Sequence, residues 1–299
     1  MKKIKILFLA LTLLTVPLFS GSGESGLAFL NLPPSAGCGG VMNVFASSKG
    51  SPASIFRSPL GISDKNSRIA FSHNMWFADV RSEVLAISFP TKYGKFAIGG
   101  NLVRIPGIEV RTTPTDQPLQ EIEGQYFSGN LTYNKEIVSS IQLGATVKYL
   151  YEYAYNQSAN GMAADIGMIW RSPADLDISL QLLNIGKMQD LDQSSTRLPR
   201  TFMVGIMRPE ILNGGPLSVA LGFNLKTDLV AKETGAQFGG EATLYNTFFI
   251  RGGYEHFGDV AKKSAGLGLN YKQFTIDYAI IMMDNGLSNP KLLSIGYRF

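Results

Sequence analysis

The sequence predicts an all-β protein, a transmembrane antiparallel β-barrel of about fourteen strands with an N-terminal segment at or in the mouth of the barrel. Three observations predict this fold. Apolar and polar residues alternate along most of the chain, the polar face is rich in small residues, and long and short links alternate between the segments. The composition agrees, because 17% of the residues are charged, 45% are hydrophobic and 32 are glycine.

The alternation is clearest in the segment IQLGATVKYLYEYAY, residues 141–155. As a strand, this segment places every second residue on one apolar face, and Leu150 is the exception on the polar face. Similar segments recur to the end of the chain and are about ten residues long, as expected of strands that cross a membrane as a barrel. A helix would scatter the same residues around its circumference.

The residues between the apolar positions separate a membrane barrel from a soluble sandwich. A sandwich turns its polar face to water, where Lys, Glu, Thr and Arg should be frequent. Here that face consists largely of Gly, Ser, Asn, Gln and Ala with scattered charges. This composition is typical of residues that face the lumen of a barrel whose apolar face meets lipid.

The links between the segments predict the orientation. The stretches 105–119, 187–199, 256–263 and 284–291 are predicted to be long, whereas 172–175, 245–247 and 272–273 are short. Outer-membrane barrels have long extracellular loops and short periplasmic turns. An even number of strands then predicts that both termini lie on the periplasmic side of a bacterial outer membrane.

The N-terminal residues predict a segment that is removed on export. Residues 1–22 combine a basic start, a short apolar run and small residues, which is the pattern of a secretory signal peptide. Residues 23–66 do not alternate but contain apolar patches, so they are predicted to fold at or inside the periplasmic mouth. Residues 67–299 are predicted to form the barrel.

The charge balance and the reactive residues argue against several classes of function. Three of the positive charges lie in the predicted signal peptide, so the net charge of +4 falls to +1 without it, and no nucleic-acid partner is predicted. Cys38 is the single cysteine, and His73 and His256 lie far apart in the sequence. No hydrolase, nucleotide-binding or zinc-protease motif is present. We therefore predict a protein that is not an enzyme and has neither a cofactor nor a metal site.

Charged residues on the polar face are the candidate lumen groups. An Arg or Lys side chain facing lipid at the midplane would cost about 2–4 kcal/mol, so these side chains are expected to face inward. They either line a polar path or form ion pairs that fill a narrow lumen, and both interpretations stay open. The residues are Lys148, Glu152, Asp165, Arg171, Asp177, Lys226, Glu241, Arg251 and Glu255.

Aromatic residues at strand ends predict contacts with the membrane interface and with the assembly machinery. Tyr149, Tyr151, Tyr153 and Tyr155 are predicted to form part of an aromatic girdle, where amphipathic rings collect. The chain ends in LLSIGYRF, with apolar residues at every second position. Gly296, Tyr297 and Phe299 resemble the C-terminal signal that the barrel-assembly machinery recognises. The predicted partners are therefore outer-membrane lipid and this machinery.

Several segments resemble the PorV/PorQ family of outer-membrane proteins, which are relatives of the FadL fatty-acid transporters. They are FLNLPPSAGCGGVM, SPASIFRSPLG and IAFSHNMWFADVRSE near the N-terminus, and LLNIG, RLPRTFMVGI and FFIRGGYE further on. The chain departs from the family at Ser58 and Leu60, where Asn and Ala are expected.

The resemblance implies a fourteen-stranded barrel with an N-terminal segment near the lumen. It also implies a non-enzymatic role in protein secretion or surface attachment of the type IX kind, through secretion components or secreted cargo. The alternative hypothesis is a FadL-like barrel that transports hydrophobic or small solutes.

Overall fold

The chain forms a closed barrel of fourteen antiparallel strands, in which each strand pairs with its neighbours along the chain and the last strand pairs with the first. The prediction of the fold class is thereby confirmed. The computed structural model describes residues 25–47, 51–62, 66–111, 118–191, 194–213, 215–283 and 288–299. Among these residues, no helix is both long and apolar enough to cross a bilayer.

The strands vary in length from eight to nineteen residues around the barrel, and a further two-residue pair, β8 and β9, lies outside it. The strands are β1 (Arg68–Met75), β2 (Arg81–Thr91), β3 (Gly94–Val110), β4 (Gln120–Val138), β5 (Ile141–Ala154), β6 (Gln157–Ser172), β7 (Leu176–Met188), β8 (Asp190–Leu191), β9 (Ser194–Ser195), β10 (Thr201–Asn213), β11 (Leu217–Asp228), β12 (Glu233–Leu244), β13 (Phe248–Phe257), β14 (Val260–Tyr271), β15 (Phe274–Met283) and β16 (Lys291–Arg298).

Strand β5 shows how the sequence pattern forms the wall. Its side chains alternate between exposed positions on the outer surface, such as Leu143 and Val147, and buried positions in the lumen, such as Thr146 and Lys148. Leu150 breaks the polar pattern of the inner face, and it is 0% exposed. It packs in an apolar cluster with Leu27 and Phe29 of the N-terminal segment, which explains why an apolar residue points inward there.

The two ends of the barrel are defined here by the strand directions. The proximal end is where β1 begins and β16 ends, and its connections are two or three residues long. The distal end is the opposite end, where residues 111–119, 189–200 and 284–290 form the longer connections. The expected long link at 256–263 is wrong, because Gly258 and Asp259 alone connect β13 and β14. These strands extend past the apolar band, so their polar ends lack the alternation that marks a strand.

The N-terminal segment occupies the lumen, and residues 25–62 are called the plug below. It contains 3-10 turns at Ala28–Asn31 and Pro52–Phe56 and one α-helical turn at Ala36–Gly39. Most of its side chains are buried against the inner wall. Glycines in the wall permit this close approach, since a Cβ atom added at Gly253 would come within 2.9 Å of the Met42 backbone nitrogen.

The plug reaches farther than the mouth position that the sequence suggested for residues 23–66. Its first described residues contact the distal connection between β7 and β10, where the Gly26 amide donates to the Arg197 carbonyl at 2.8 Å. The chain then crosses the lumen and leaves it toward β1. The predicted signal peptide, residues 1–22, lies outside the described residues.

Candidate functional site

A small apolar cavity lies at the distal end between the plug and the wall. It measures about 60 Å³ and is bounded by Leu32 and Met42 of the plug and by Trp76, Ile281 and Met283 of the wall. Trp76 directly follows β1 and continues its inward-facing series after Ser72 and Asn74. The cavity therefore depends on both parts of the molecule, because neither the plug nor the wall encloses it alone.

A charged cluster forms one edge of this cavity. The Glu255 carboxylate accepts from Lys226 at 2.9 Å, from Gln237 at 2.5 Å and from Lys262 at 3.2 Å. The Lys226 ammonium also lies 4.1 Å from the centre of the Phe257 ring. Because buried charges are costly without partners, this arrangement places satisfied charges beside an otherwise apolar space.

Two apolar clusters close the distal half of the lumen. One gathers around Leu27 and Phe29, and the other contains Met42 and Trp76. Leu32 and Val80 pack against both clusters and join them into a layer. Burial of apolar surface contributes roughly 25 cal/mol per Å², so this layer stabilises the contact between plug and wall.

The β3–β4 hairpin projects beyond its neighbours at the distal end. The last pairs with the adjoining strands are Arg81 with Arg104 on β3 and Tyr153 with Gln125 on β4. Beyond them the two strands pair only with each other, around a bulge that contains Gly107 at a φ of 68°. The alternation places apolar residues on the lumen side of this ribbon and charged residues on the other side. The apolar residues are Ile105, Ile108, Val110 and Ile122.

This apolar face leads down toward the plug. Farther along the same side of β4, the Tyr126 ring stacks on Phe29 with centroids 5.4 Å apart. The distal end thus presents a continuous apolar surface from the projecting ribbon to the layer that closes the lumen. Such a surface can hold a hydrophobic molecule as it leaves water.

Arg57 connects two parts of the plug by hydrogen bonds. Its guanidinium is fully buried and donates to the Leu30 carbonyl at 2.5 Å and to Asn31 Oδ1 at 3.1 Å. Burial lowers the pKa of Arg57, and the carboxylates of Glu255 and Asp165 oppose this effect. The side chain therefore joins the two ends of the plug across the lumen.

Wall side chains donate hydrogen bonds to backbone carbonyls of the plug and hold the plug in place. Asn130 donates to Ile55 at 3.2 Å, Gln142 to Leu60 at 3.1 Å and Ser264 to Gly40 at 3.0 Å. These side chains belong to the small polar face that the sequence pattern assigned to the lumen. They satisfy backbone groups of an irregular segment that water cannot reach.

The predicted lumen charge Lys148 forms a buried ion pair with Asp165 at 2.8 Å. Lys148 also donates to the side-chain oxygen Oδ1 of Asn184 at 2.7 Å, and the backbone N–H of Asn184 donates to Asp165 Oδ1 at 2.7 Å. A bulge between Ala164 and Ile166 in the β6–β7 pairing accompanies this contact. The group ties three strands together and is a structural junction.

The part of the proximal lumen beside β11 to β16 is a polar vestibule, with adjoining cavities of about 420 and 350 Å³. The predicted lumen charge Arg251 lies on its inner wall and bonds Glu241 at 2.8 Å and Asp277 at 2.5 Å. Hydroxyl and amide side chains cover much of the rest. The vestibule is separated from the distal cavity by the plug, whose Cys38 and Val41 face the vestibule while Met42 and Asn43 face the cavity.

The other predicted lumen charges do not join these groups. Glu152 is buried near the distal end and accepts from Thr196 at 2.9 Å. Arg171 is partly exposed near the proximal end, where it donates to Gln142 at 2.9 Å and lies 3.4 Å from Glu136. Asp177 is partly buried on β7. The structure brings the nine charges into separate pairs and clusters and not into one line.

The aromatic residues singled out at the strand ends lie on the outer surface. Tyr149, Tyr151 and Tyr153 occupy the outward positions of β5, and the Tyr149 hydroxyl bonds Asn160. Tyr155 is wrongly placed by the sequence pattern, because it lies in the β5–β6 turn at a φ of 58°.

The C-terminal residues complete the wall at the proximal end. Tyr297 contacts Phe274 and Phe299 at centroid distances of 5.0 and 5.1 Å. The Phe299 amide donates to Ser67 at 3.0 Å, and Gly296 pairs with Ala70. These contacts fix the end of β16 against β1 and β15.

The histidines and the cysteine do not form a reactive site. His73 lies on the outward phase of β1 and bonds Glu83 at 2.6 Å, whereas His256 lies on β13 and is exposed. Burial raises the pKa of the Cys38 thiol, which disfavours the nucleophilic thiolate. Within the described ranges, no group of three metal-ligating side chains comes together.

Sequence reasoning missed the residues of the distal cavity. The inward position of Trp76 could have been predicted, because Trp76 extends the inward-facing series of Ser72 and Asn74 by two positions. The proximity of Met42 and Met283 could not have been predicted from the sequence pattern, because the two residues are 241 positions apart in the chain. Among the described cavity residues, only Glu255 had been singled out.

Comparisons with known proteins find a likeness in fold. No protein-family model matches the chain, and no curated protein matches its sequence. Many solved structures do match in fold, including the following three. The CymD monoaromatic hydrocarbon channel aligns with a TM-score of 0.62 at 8% identity, covering 92% of this chain and 99% of CymD.

The other two matches are similar in extent. The Pseudomonas putida toluene transporter TodX has a TM-score of 0.61 at 9% identity, covering 94% of this chain and 98% of TodX. A Pseudomonas aeruginosa FadL homologue has a TM-score of 0.54 at 11% identity, covering 89% of this chain and 98% of the homologue. The chain therefore has the fold of the FadL-like outer-membrane barrels.

Proposed function

We propose that this chain is an outer-membrane channel that takes up small hydrophobic molecules. The observation that carries the proposal is the apolar cavity between plug and wall at the distal end, about 60 Å³ in size. The likeness in fold to CymD and TodX, which are described as a hydrocarbon channel and a toluene transporter, supports the same class of solute.

The distal end offers a downhill path for such a molecule. The inner face of the β3–β4 ribbon provides apolar contacts outside the lumen, and the joined clusters around Leu32 and Val80 continue them inward. Each methylene group that leaves water gains about 0.8 kcal/mol. Capture at the apolar end therefore needs no energy source.

The cavity in the described state is too small for an aromatic ring. An engineered cavity that binds benzene has roughly 150 Å³. Met42 and Met283 border the space, and methionine side chains adapt to irregular volumes more readily than branched residues do. We therefore expect a bound ring to displace these two side chains first.

The proposed orientation places the distal end outside the cell and both termini in the periplasm. Support comes from the connections, which are two or three residues long at the proximal end and include the longer ones at the distal end. Protease cleavage of intact cells tests it: we expect cutting in 111–119 and none in the proximal turns. Cleavage of the proximal turns in intact cells would contradict the orientation.

Uptake of labelled toluene by intact cells tests the function. Cells that lack the chain should take up toluene slowly, and cells that regain it should recover. Ile281→Asp puts a charge in the cavity and should abolish the recovery, whereas Thr275→Asp adds the same charge to the already polar vestibule and should not. Equal uptake with and without the chain, or equal recovery by Ile281→Asp and Thr275→Asp at matched levels of folded barrel, would refute the proposal.

The barrel-assembly machinery is proposed as a partner that recognises the C-terminal residues. Phe299 is 65% exposed on the surface at the end of the chain, so its ring is free to contact another protein. Phe299→Ala should reduce the amount of heat-modifiable barrel in the outer membrane. Tyr271→Ala is the matched control, because Tyr271 is also an exposed aromatic residue at the proximal end. Equal losses in both variants would contradict a specific signal.

The comparisons give no support to the secretion or attachment role that the PorV/PorQ resemblance implied. The matched structures named above are a hydrocarbon channel, a toluene transporter and a FadL homologue. We therefore retain the transport hypothesis as the proposed function.

A further inference from the structure

Two side chains that border the distal cavity each carry a polar atom without a hydrogen-bond partner. These atoms are Nε1 of Trp76 and Oδ1 of Asn43, and both atoms are buried. The two side chains are 8% and 5% exposed, respectively. Buried polar atoms usually find partners, because an unpaired one costs about as much as a lost hydrogen bond. Two of them on one small cavity therefore point to a ligand that supplies the partners.

The chemistry of the two groups defines the ligand. The indole Nε1 of Trp76 can only donate, so it needs an acceptor. The Asn43 oxygen needs a donor. A single hydroxyl group can do both, because it has one O–H donor and two acceptor lone pairs.

The remaining wall disfavours the two nearest alternatives. A pure hydrocarbon that fills the cavity would leave both polar atoms unpaired. A carboxylate can only accept, so it would leave Asn43 without a donor, and it would also face the Glu255 carboxylate at the edge of the cavity. The Lys262 ammonium on the same edge is already paired with Glu255 at 3.2 Å.

We propose that the distal cavity selects apolar molecules that carry one neutral hydroxyl group, such as an aromatic alcohol or a phenol. The hydroxyl lies between Trp76 and Asn43, and the apolar body lies against Met42, Ile281 and Met283. This inference rests on the proposed function, because it names the class of solute that the channel prefers. It adds a specificity that the apolar lining alone does not provide.

Three ligands that differ only around one carbon atom test the proposal: toluene, benzyl alcohol and benzoate. Their affinities for the purified full-length barrel are measured by calorimetric titration in detergent, with detergent alone as the blank. We expect benzyl alcohol to bind about tenfold more tightly than toluene, since one net hydrogen bond contributes an effect of this order. Benzoate should bind more weakly than benzyl alcohol.

The two tryptophans of the chain supply a matched pair of variants. Trp76→Phe removes the donor and keeps an aromatic ring, so the preference for benzyl alcohol over toluene should fall to about one. Trp170→Phe makes the same change on the outer surface, where Trp170 is 43% exposed, and should keep the preference. In the Trp170→Phe protein the remaining indole is Trp76, so quenching of its emission by benzyl alcohol should locate the ligand.

Several results would overturn the inference. They are equal binding of toluene and benzyl alcohol, tightest binding of benzoate, and a preference that survives Trp76→Phe or is lost in Trp170→Phe. Each of these leaves the proposed function intact if cells still need the chain to take up toluene. Conversely, a preference that behaves as expected while uptake is independent of the chain would refute the channel and keep the binding site.

Discussion

In the distal half of the lumen the plug packs against apolar wall residues. In the proximal half it packs against apolar residues of β2 such as Val84 and Ala86 on one side, and it leaves open space bordered by polar side chains beside β11 to β16 on the other. The distal cavity of about 60 Å³ is bordered by residues such as Trp76 and Ile281. The proximal cavities of about 420 and 350 Å³ are bordered by hydroxyl, amide and charged side chains. The same plug segment, residues 38–43, separates them.

In the proposed channel, the difference between the halves determines where a hydrophobic solute gains and loses free energy. It is stabilised at the distal end, and it would lose this contact energy on moving into the polar vestibule. The plug thus does more than block the lumen, because it supplies one wall of the apolar cavity. Holding the plug in place is then a condition for binding as well as for closure.

Arg57→Ala should break this division most strongly. Charge-assisted hydrogen bonds contribute about 1.5–3 kcal/mol each, and Arg57 makes two of them between the ends of the plug. We expect the plug to loosen and the two halves to connect, so that liposomes containing the variant swell faster in small sugars than those containing the native barrel.

The control for this variant removes an arginine from the outer surface. Arg104→Ala affects an exposed pair with Glu123 whose nitrogen and oxygen atoms are 3.8 Å apart, and it should leave the swelling rate unchanged. If Arg57→Ala and native liposomes swelled alike, Arg57 would not hold the lumen closed.

Lys148→Met should have the next largest effect. It tests the stability of the barrel wall, whereas Arg57→Ala tests the position of the plug. The change leaves the buried Asp165 without its ion-pair partner, which costs about 3–5 kcal/mol in comparable cases. Urea unfolding in detergent measures the loss of stability. Adding Asp165→Asn should recover part of it, because the uncompensated charge is then removed.

Arg104→Met serves as the control for a surface pair and should change the free energy of unfolding by less than about 1 kcal/mol. Equal effects of Lys148→Met and Arg104→Met would show that the Lys148 junction does not stabilise the barrel.

The wall was predictable from the sequence because its pattern has a physical period. Alternate residues of a strand face lipid and lumen, and a change of one position would expose Lys148 or Asp165 to lipid. The ends of strands were less predictable. Gly258 and Asp259 form a two-residue turn, and the strand ends beside it carry charged residues such as Glu255, Lys262 and Lys263 that interrupt the apolar alternation.

The plug and the cavity were not predictable in this way. Residues 25–62 have no period, and their position depends on contacts with distant strands, such as Ser264 with Gly40. Leu150 shows how much the alternating pattern indicates about the lumen. An apolar residue on the polar face marks a place where the lumen is filled, but it does not identify the segment that fills it.

Gly253→Val should displace the plug, but by less than Arg57→Ala does. A Cβ atom there would lie 2.9 Å from the Met42 nitrogen and 2.7 Å from Ser264 Oγ, so the plug has to move. Overpacking of this kind costs about 1–3 kcal/mol. Cys38 reports the movement, because its buried thiol should react slowly with a maleimide in the native barrel and faster in the variant.

Gly252→Val provides the control on the neighbouring residue. Its Cβ atom would point to the outer face, where the nearest atom is 3.9 Å away. Labelling of Cys38 should therefore stay slow. Equal labelling rates in the two variants would show that Gly253 does not set the position of the plug.

Met283→Ala should have the smallest effect and places hydrophobic binding in one half of the lumen. The side chain borders the distal cavity and has to move for a ring to enter, so its truncation should strengthen toluene binding by about threefold to tenfold. The adjoining Met282 is 39% exposed on the outer face, and Met282→Ala removes the same atoms from lipid contact. Toluene affinity should be unchanged in that variant. Because the two methionines are neighbours on one strand, a general loss of stability would affect both alike, and tighter binding in Met283→Ala alone assigns the solute to the distal cavity.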